Sequence, residues 1–212
     1  MFQKALIAPI FLTFALFSLS GCLPVIFTGA AGSAFAFAKD READETITDV
    51  RIATGIKAEL FKKDFRGLYT QIKVEVVRGR VLLTGLIDKE EDSIKAVAAA
   101  WNQKSVVEVI NELKVDKNSK HFNFLQYTRD AMVTSQIKSK IFINRDIKFV
   151  NYTVITINDI VYLFGMARSE EELEKVANIA SNVYGVHKVI THVQLNSTEN
   201  NYKSRNSSND KD

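Results

Sequence analysis

The feature of this sequence that most constrains its fold is an internal repeat with a period of about eighty residues. It is clearest at two apolar runs that end in glycine, VLLTG at residues 81–85 and VYLFG at residues 161–165. The same register, without a gap, also matches further apolar and polar positions. The matched pairs are Val74 with Val154, Glu90-Glu91 with Glu170-Glu171, Lys95 with Lys175, Ala100 with Ala180, Asn102 with Asn182, Val106 with Val186, and Val109-Ile110 with Val189-Ile190. Two copies of one small fold are therefore predicted.

Each copy is predicted to begin with a helix. Upstream of the apolar runs, a shift of one residue matches a second group of positions between the copies. These pairs are Asp49, Ile52, Ile56, Leu60 and Phe61 with Asp130, Val133, Ile137, Ile141 and Phe142. The core-type members recur four residues apart, the spacing that places side chains on one face of a helix. That face is predicted to pack on the core of its own copy.

A hairpin is predicted after each opening helix. Alternating apolar residues mark its first strand, and the following apolar run forms its second strand. The alternating residues are Ile72, Val74 and Val76 in the first copy and Tyr152, Val154 and Ile157 in the second. The dipeptides Arg78-Gly79 and Asn158-Asp159 lie between the strands, and both suit a tight hairpin turn.

A second helix is predicted after each hairpin. It opens at Asp88 in the first copy and at Ser169 in the second, where Glu172 follows three residues later as in a capping box. In the second copy this helix is predicted to end near Gly185. A last strand at residues 106–115 or 186–195 completes the unit. The predicted class is α+β, each copy being α-β-β-α-β with a three-stranded mixed sheet covered by two helices on one face.

The N-terminal residues have the pattern of a lipoprotein signal peptide. Residues 1–21 combine Lys4 with an apolar run that is short for a membrane span, followed by small residues. The LSGC sequence at residues 19–22 is similar to the lipobox of bacterial lipoproteins, in which the cysteine receives a diacylglycerol group. The alternative for Cys22, a small buried cysteine in an apolar helix, is disfavoured because Cys22 is the only cysteine of the chain.

The segments on either side of the repeat are predicted to be accessory. Residues 22–45 form a lipidated apolar linker, of which residues 23–38 either lie against the bilayer surface or belong to the linker. Leu23, rather than Asp, follows the cysteine, a pattern similar to that of lipoproteins that move to the outer membrane. Residues 196–212 are polar and are predicted to form a disordered tail.

The order of elements and two glycine-containing motifs together resemble the BON domain. The motifs are the glycine at the end of the second strand and GVHKV at residues 185–189. The resemblance covers residues 46–116 and 124–195, and Ser105 departs from it because the family usually has glycine there. With the lipobox, the chain is similar to the dual-BON outer-membrane lipoproteins. This implies a lipid-anchored, non-enzymatic protein that faces the periplasm.

Composition and side-chain chemistry argue against several other classes. The formal net charge of +3 is distributed among acidic and basic residues, which does not indicate a nucleic-acid partner. His121, His187 and His192 are not placed to share a metal, and we interpret them as solvated or turn-adjacent. The paired glutamates at residues 90–91 and 170–172 open helices, where the helix dipole favours carboxylates. We therefore predict no catalytic residue, metal site or cofactor.

Residues 125–143 carry the strongest functional signal. At 100° per residue, the predicted core stripe leaves a second apolar set on nearly the opposite side of the helix. That set comprises Leu125, Met132, Phe142 and Ile143. Arg129 and Lys140 flank it on one edge and Lys138 on the other. A helix with such a face is expected to rest on anionic lipid headgroups.

The resemblance implies the same segment, because the first helix of the second domain carries phospholipid binding in the dual-BON lipoproteins. The residues assigned to phospholipid contact are Arg129, Met132, Ile137, Lys138, Lys140 and Phe142. An alternative is that Leu125, Met132 and Phe142 pack against the first copy. The predicted function is binding of anionic phospholipid at the membrane surface in support of envelope integrity. The alternative function is a membrane-tethered adaptor that docks onto an envelope protein partner.

Overall fold

A computed structural model describes residues 43–116 and 123–196, and both ranges belong to one compact unit, Ala36–Asp212. Several predictions concern residues outside these ranges. They are the signal peptide, the lipidation of Cys22, the linker up to residue 42, the position of His121 and the tail from residue 197.

The two copies fold as two modules with the same order of elements. The first module contains α1 (Ala43–Lys63), β1 (Ile72–Val77), β2 (Arg80–Ile87), α2 (Glu90–Trp101) and β3 (Glu108–Val115). The second module contains α3 (Phe124–Ile143), β4 (Tyr152–Ile157), β5 (Ile160–Ala167), α4 (Glu170–Ser181) and β6 (Lys188–Leu195). A short π-helical turn, Phe65–Tyr69, precedes β1, and a short 3-10 turn, Phe149–Asn151, precedes β4.

Each module has a three-stranded mixed sheet with its hairpin's second strand in the centre. β1 pairs with β2 antiparallel and β2 pairs with β3 in parallel; β4, β5 and β6 repeat this arrangement. One face of each sheet packs on the two helices of its module. The predicted core stripes Ile52–Ile56–Leu60 and Val133–Ile137–Ile141 are buried there. The predicted α+β class is thus confirmed.

The repeated aspartates Asp49 and Asp130 tie each opening helix to its hairpin turn. The turn residues Arg78 and Asn158 have positive φ angles of 53° and 49°, as the mirror-image turns of hairpins require. In the first module, the Asp49 carboxylate accepts hydrogen bonds from the backbone N–H groups of Arg78 and Gly79, both at 2.9 Å. Asp130 accepts the equivalent bonds from Asn158 and Asp159. The repeat of an aspartate at this place therefore has a structural cause.

The glycine predicted to end the second strand lies within that strand. β2 continues to Ile87 and β5 continues to Ala167. Gly85 and Gly165 have φ angles of 148° and 136°, and a Cβ atom at Gly165 would lie 2.0 Å from the backbone oxygen of Asn151. Glycine is required because the backbone just before the first strand of the hairpin passes close to this point of the second strand.

Several predicted boundaries are wrong by a few residues. α2 begins at Glu90 after Lys89 rather than at Asp88, and no side chain caps it. α4 ends at Ser181 rather than near Gly185, and the last strands begin at residues 108 and 188. Two-residue alternation also places Ile157 on the opposite face of β4 from Val154.

The capping-box prediction for α4 is half correct. The Ser169 hydroxyl accepts a hydrogen bond from the N–H of Glu172. The Glu172 carboxylate, however, does not return to Ser169. It accepts from the backbone N–H groups of Lys148 and Arg168 and from the Arg168 guanidinium. Glu172 therefore fastens the start of α4 to the segment that leads into β4, and it is only 4% exposed.

The second faces of the two sheets pack against each other. A buried apolar cluster joins residues of both modules: Val77 and Leu82 from the first, and Ile155, Tyr162, Phe164 and Met166 from the second. Two packed sheets enclose a core of this kind in sandwich folds. The interface holds the two modules in a fixed relative position.

Polar groups border this interface. Arg80 is 7% exposed, and its guanidinium pairs with Glu108, donates to the backbone oxygen of His192 at 3.0 Å and lies over the Phe164 ring. His192 Nε2 lies 2.9 Å from Glu112 Oε1. The interpretation of His192 as solvated is therefore wrong, because the sheet packing brings it against Glu112. His187, in contrast, is exposed in the turn before β6.

Candidate functional site

The candidate site is built on α3, a helix of 20 residues. The Asn123 side chain caps its N-terminus by accepting a hydrogen bond from the N–H of Gln126 at 3.1 Å. Val133, Ile137 and Ile141 anchor the helix in the module core. Ile137 has no exposed surface, so its assignment as a phospholipid contact is wrong: the side chain faces the sheet.

The opposite side of α3 exposes large apolar side chains. Leu125 is 77% exposed, Met132 58%, Phe142 69% and Ile143 76%. Single exposed apolar residues are ordinary, but a group of them along one side of a helix indicates a surface that contacts another apolar phase. We call this set the outer face of α3. The alternative in which Leu125, Met132 and Phe142 are packed on the first module is wrong, because more than half of each side chain is exposed.

A groove of about 1750 Å³ runs between α3 and the first module. Its lining includes Lys73 of the edge strand β1 and Leu86 of β2 on one side. Phe124, Lys138 and Phe142 line it from α3. The Phe142 ring meets Phe149 edge to face, with ring centroids 5.5 Å apart, and Phe149 also lines the groove. The groove therefore combines an aromatic wall with two lysines from different modules.

The predicted site residues divide between two flanks of α3. Lys138 and Phe142 lie on the flank that faces the groove. At 100° per residue, Arg129, Met132 and Lys140 lie on the flank that faces away from the first module. Arg129 lies 3.7 Å from Asp159, while Lys138 and Lys140 have no hydrogen bond or ion pair among residues 43–116 and 123–196. The helix thus presents cations on both sides of its apolar outer face.

The first module does not offer an equivalent free lysine. Lys57 is the repeat equivalent of Lys138, but its ammonium group donates to the backbone oxygens of Tyr69 and Ile72. It also lies over the Tyr69 ring, 4.9 Å from the centroid. Because desolvation accompanies these contacts, the pKa of Lys57 is lowered. Lys57 is therefore engaged within its module, whereas Lys138 remains available to a ligand.

Lys73 is the cation that the first module brings to the groove. Desolvation lowers the pKa of its ammonium group, and the nearby positive charge of Lys138 acts in the same direction. The carboxylates of Asp130 and Glu75 oppose this shift. Lys73 and Lys138 are therefore close enough for their charges to interact, and both line the groove.

The described residues do not bring candidate metal ligands together. In that part of the chain, no group of three or more His, Cys, Asp or Glu side chains could hold a metal ion. Residues 90–91 and 170–171 are exposed glutamates in the first turns of α2 and α4. Within the described residues, no helix has the length and apolar character needed to span a membrane.

Comparison with known proteins agrees with the two-module fold. The family model of the BON domain matches residues 48–117 and residues 129–197, which together are more than half of the chain. The chain belongs to the BON domain family. Its BON modules account for both sheets and all four helices of the described residues.

Three relatives resemble the chain over most of their length. An uncharacterized protein in the gshII 5' region of Anaplasma centrale is 40% identical over 70% of this chain and 95% of its own length. The outer membrane lipoprotein DolP of Haemophilus influenzae is 30% identical over 81% of this chain and 87% of its own. A 21 kDa hemolysin of Actinobacillus pleuropneumoniae is 30% identical over 70% of this chain and 73% of its own. These relatives are not described as enzymes.

Sequence reasoning missed the contribution of the first BON module to the site. Lys73 and Leu86 lie far from α3 in the chain, and nothing in their local pattern indicates that they line a groove with it. Phe149 was missed because it stands in a loop between predicted elements. Its only signal was an aromatic residue next to a strand that begins at Tyr152.

Proposed function

We propose that this chain is an outer-membrane lipoprotein whose second BON module binds anionic phospholipid. Acylation of Cys22 tethers it so that the modules face the periplasm, and lipid binding supports the integrity of the envelope. One observation carries the proposal: the outer face of α3 combines four exposed apolar side chains with lysines that have no partner in the described residues. Its likeness to an outer membrane lipoprotein over most of both chains supports the location.

The physical chemistry of this face fits a bilayer surface. Apolar side chains on an interfacial helix enter the boundary between headgroups and acyl chains, while cations remain among the phosphates. Each Lys or Arg close to an anionic surface contributes about 1 kcal/mol. Arg129, Lys138 and Lys140 together therefore supply about 3 kcal/mol at low ionic strength, and salt weakens this attraction.

Liposome flotation tests the proposal with a fragment of residues 39–212. The fragment keeps every helix and strand of the described residues and lacks the predicted acyl anchor, so binding has to come from the modules. We expect binding to phosphatidylglycerol liposomes that fades with added salt, and none to phosphatidylcholine liposomes. Met132→Glu removes one apolar anchor and adds a negative charge, which together cost about 2 kcal/mol, or about thirtyfold in affinity.

The matched control for this experiment is Ile94→Glu. Ile94 lies on α2 of the first module and is 65% exposed, close to the 58% of Met132. This variant is expected to bind liposomes as the unaltered fragment does. Equal binding by Met132→Glu and the unaltered fragment would remove α3 from the proposal.

Acylation is tested separately in cells. Metabolic labelling with radioactive palmitate is expected to label the full chain, and Cys22→Ser is expected to abolish both the label and recovery in the outer-membrane fraction. A chain that remains unlabelled and is found in the cytosol would contradict the proposed anchoring.

A second candidate function, a tethered adaptor for a protein partner, is favoured by one observation on the first module. α2 exposes Ile94 and Trp101, where the equivalent positions of α4 are Glu174 and Ser181. An apolar pair on one module alone indicates a contact that the other module does not make. In-cell crosslinking is expected to recover a partner in fixed ratio, and Trp101→Ser is expected to abolish its capture without changing liposome binding.

A further inference from the structure

We propose that the groove between the BON modules is a headgroup site, in which Lys73 of the first module and Lys138 of the second hold the phosphate of one anionic phospholipid. The inference rests on the proposed function and extends it. Lipid recognition then belongs to the docked pair of modules and not to α3 alone.

Charge is the first argument. Lys73 and Lys138 both line the groove, and neither has a hydrogen bond or close ion pair among the described residues. The two carboxylates in the lining are already engaged. Asp130 accepts hydrogen bonds from the hairpin turn and from Gln126, and Asp116 also has a partner within the fold. The ammonium groups of the two lysines are thus the hydrogen-bond donors that remain for a ligand, and a phosphate offers acceptors to both.

The aromatic wall is the second argument, and it favours a lipid over a free anion. Phe142 and Phe149 form one side of the groove and Leu86 lies on the other. An inorganic phosphate gains no binding energy from an apolar wall. An acyl chain or glycerol backbone does, because it transfers apolar surface from water to the wall. The groove continues onto the outer face of α3 at Phe142, so a bound lipid can remain part of the membrane that this face contacts.

The fixed position of the modules is the third argument. The sheet-to-sheet cluster around Leu82, Tyr162 and Phe164 is fully buried, so Lys73 is held opposite α3 before any ligand arrives. A site that is formed in advance avoids the entropic cost of bringing two cations together on binding.

The test uses the full-length acylated protein in phosphatidylcholine nanodiscs. Short-chain phosphatidylglycerol is titrated in, and reductive methylation of each lysine is followed by mass spectrometry. We expect protection of Lys73 and Lys138 with the same concentration dependence, and no protection of exposed Lys62 at the end of α1. Inorganic phosphate at the same concentrations is expected to protect neither lysine.

Lys73→Gln is the decisive variant, with Lys62→Gln as its control. Loss of one cation from the site is expected to weaken protection of Lys138 about fivefold, which corresponds to about 1 kcal/mol. The control is expected to leave protection unchanged, and both variants should keep the circular dichroism spectrum of the unaltered protein.

The remaining outcomes separate the inference from the proposed function. If Lys138 is protected, Lys73 is not, and Lys73→Gln has no effect, then the groove site is wrong. Lipid binding by α3 would still hold. Absence of protection at both lysines overturns both. Equal protection by inorganic phosphate contradicts a lipid ligand and indicates a site for any phosphate anion.

Discussion

Replacing the aspartate that ties each opening helix to its hairpin turn gives a direct test of the repeat's structural cause. Asp49 is 5% exposed and accepts two backbone hydrogen bonds from the turn. Arg78 and Gly79 lie beyond the last strand pair of the hairpin, Val77 with Arg80, so no strand neighbour accepts from their N–H groups. Asp49→Ala therefore removes an acceptor that nothing else replaces.

The magnitude follows from the number of bonds and their burial. A hydrogen bond to a charged group contributes about 1.5–3 kcal/mol, and a buried donor left without an acceptor costs about 1–3 kcal/mol. With two donors affected, one of them buried, we expect Asp49→Ala to lower the free energy of unfolding by about 3–4 kcal/mol. Asp49→Asn retains one acceptor oxygen, so about half of that loss is expected. The equivalent Asp130→Ala should cost less, because Asp130 is only half-buried.

Thermal unfolding followed by circular dichroism measures the effect on residues 39–212. At about 2–4 °C for each kcal/mol, Asp49→Ala should lower Tm by about 10 °C. Glu174→Gln, at an exposed position in the middle of α4, is the control and should leave Tm unchanged. If Asp49→Ala unfolds within about 1 °C of the unaltered fragment, the aspartate does not hold the hairpin and the explanation of the repeat is wrong.

Three further changes test other parts of the fold. Ser105 has a φ of 69°, so Ser105→Gly should relieve strain and raise stability by up to about 1 kcal/mol, measured as a higher Tm. Gly165→Ala places a Cβ against the Asn151 backbone oxygen at a φ of 136°. It should lower the free energy of unfolding by more than about 3 kcal/mol, seen as loss of soluble folded protein. Glu172→Gln weakens the partly buried bonds to Arg168 and should cost about 2–4 kcal/mol in urea unfolding with an unchanged m value.

The architecture of each module could be predicted because its signals are local. Side chains four residues apart fixed the buried faces of α1 and α3, and two turn dipeptides fixed both hairpins. Boundaries were less predictable. The end of α4 was placed near Gly185, but the helix stops at Ser181 and the glycine serves the following turn, with a φ of 92°. A glycine signals a left-handed position, and it does not say whether a helix ends immediately before it.

The packing of the two sheets had a signal in the sequence that the alternation argument did not use. A strand with one solvent-exposed face alternates apolar and polar residues, but residues 160–167 read IVYLFGMA without such alternation. Such a run indicates a strand buried on both faces, and β5 is buried along almost its whole length. What remained out of reach was the identity of the second face's partner, because contacts between modules leave no periodic trace in either one.

The candidate site shows the same division between local and distant information. The exposure of Met132 and Phe142 followed from the helical period, because those residues lie opposite the core stripe. Ile137 was assigned to lipid by resemblance even though the same period placed it in the core, and the structure shows that the period was the better guide. Lys73 could not be found in this way, since its role depends on how two modules dock.

Docking also explains why duplicated modules can carry different functions. Glu112 and His192 occupy equivalent positions of β3 and β6, yet they pair with each other across the interface. Arg80 is the repeat equivalent of Ile160, and its guanidinium packs on an aromatic ring of the other module. Equivalent positions at this interface thus carry different residues that pair across it, and the exposed faces of the two modules diverge as well. In this chain the divergence leaves Lys57 bound within its own module and Lys138 open to the groove, which is why lipid contact is proposed for the second module's helix.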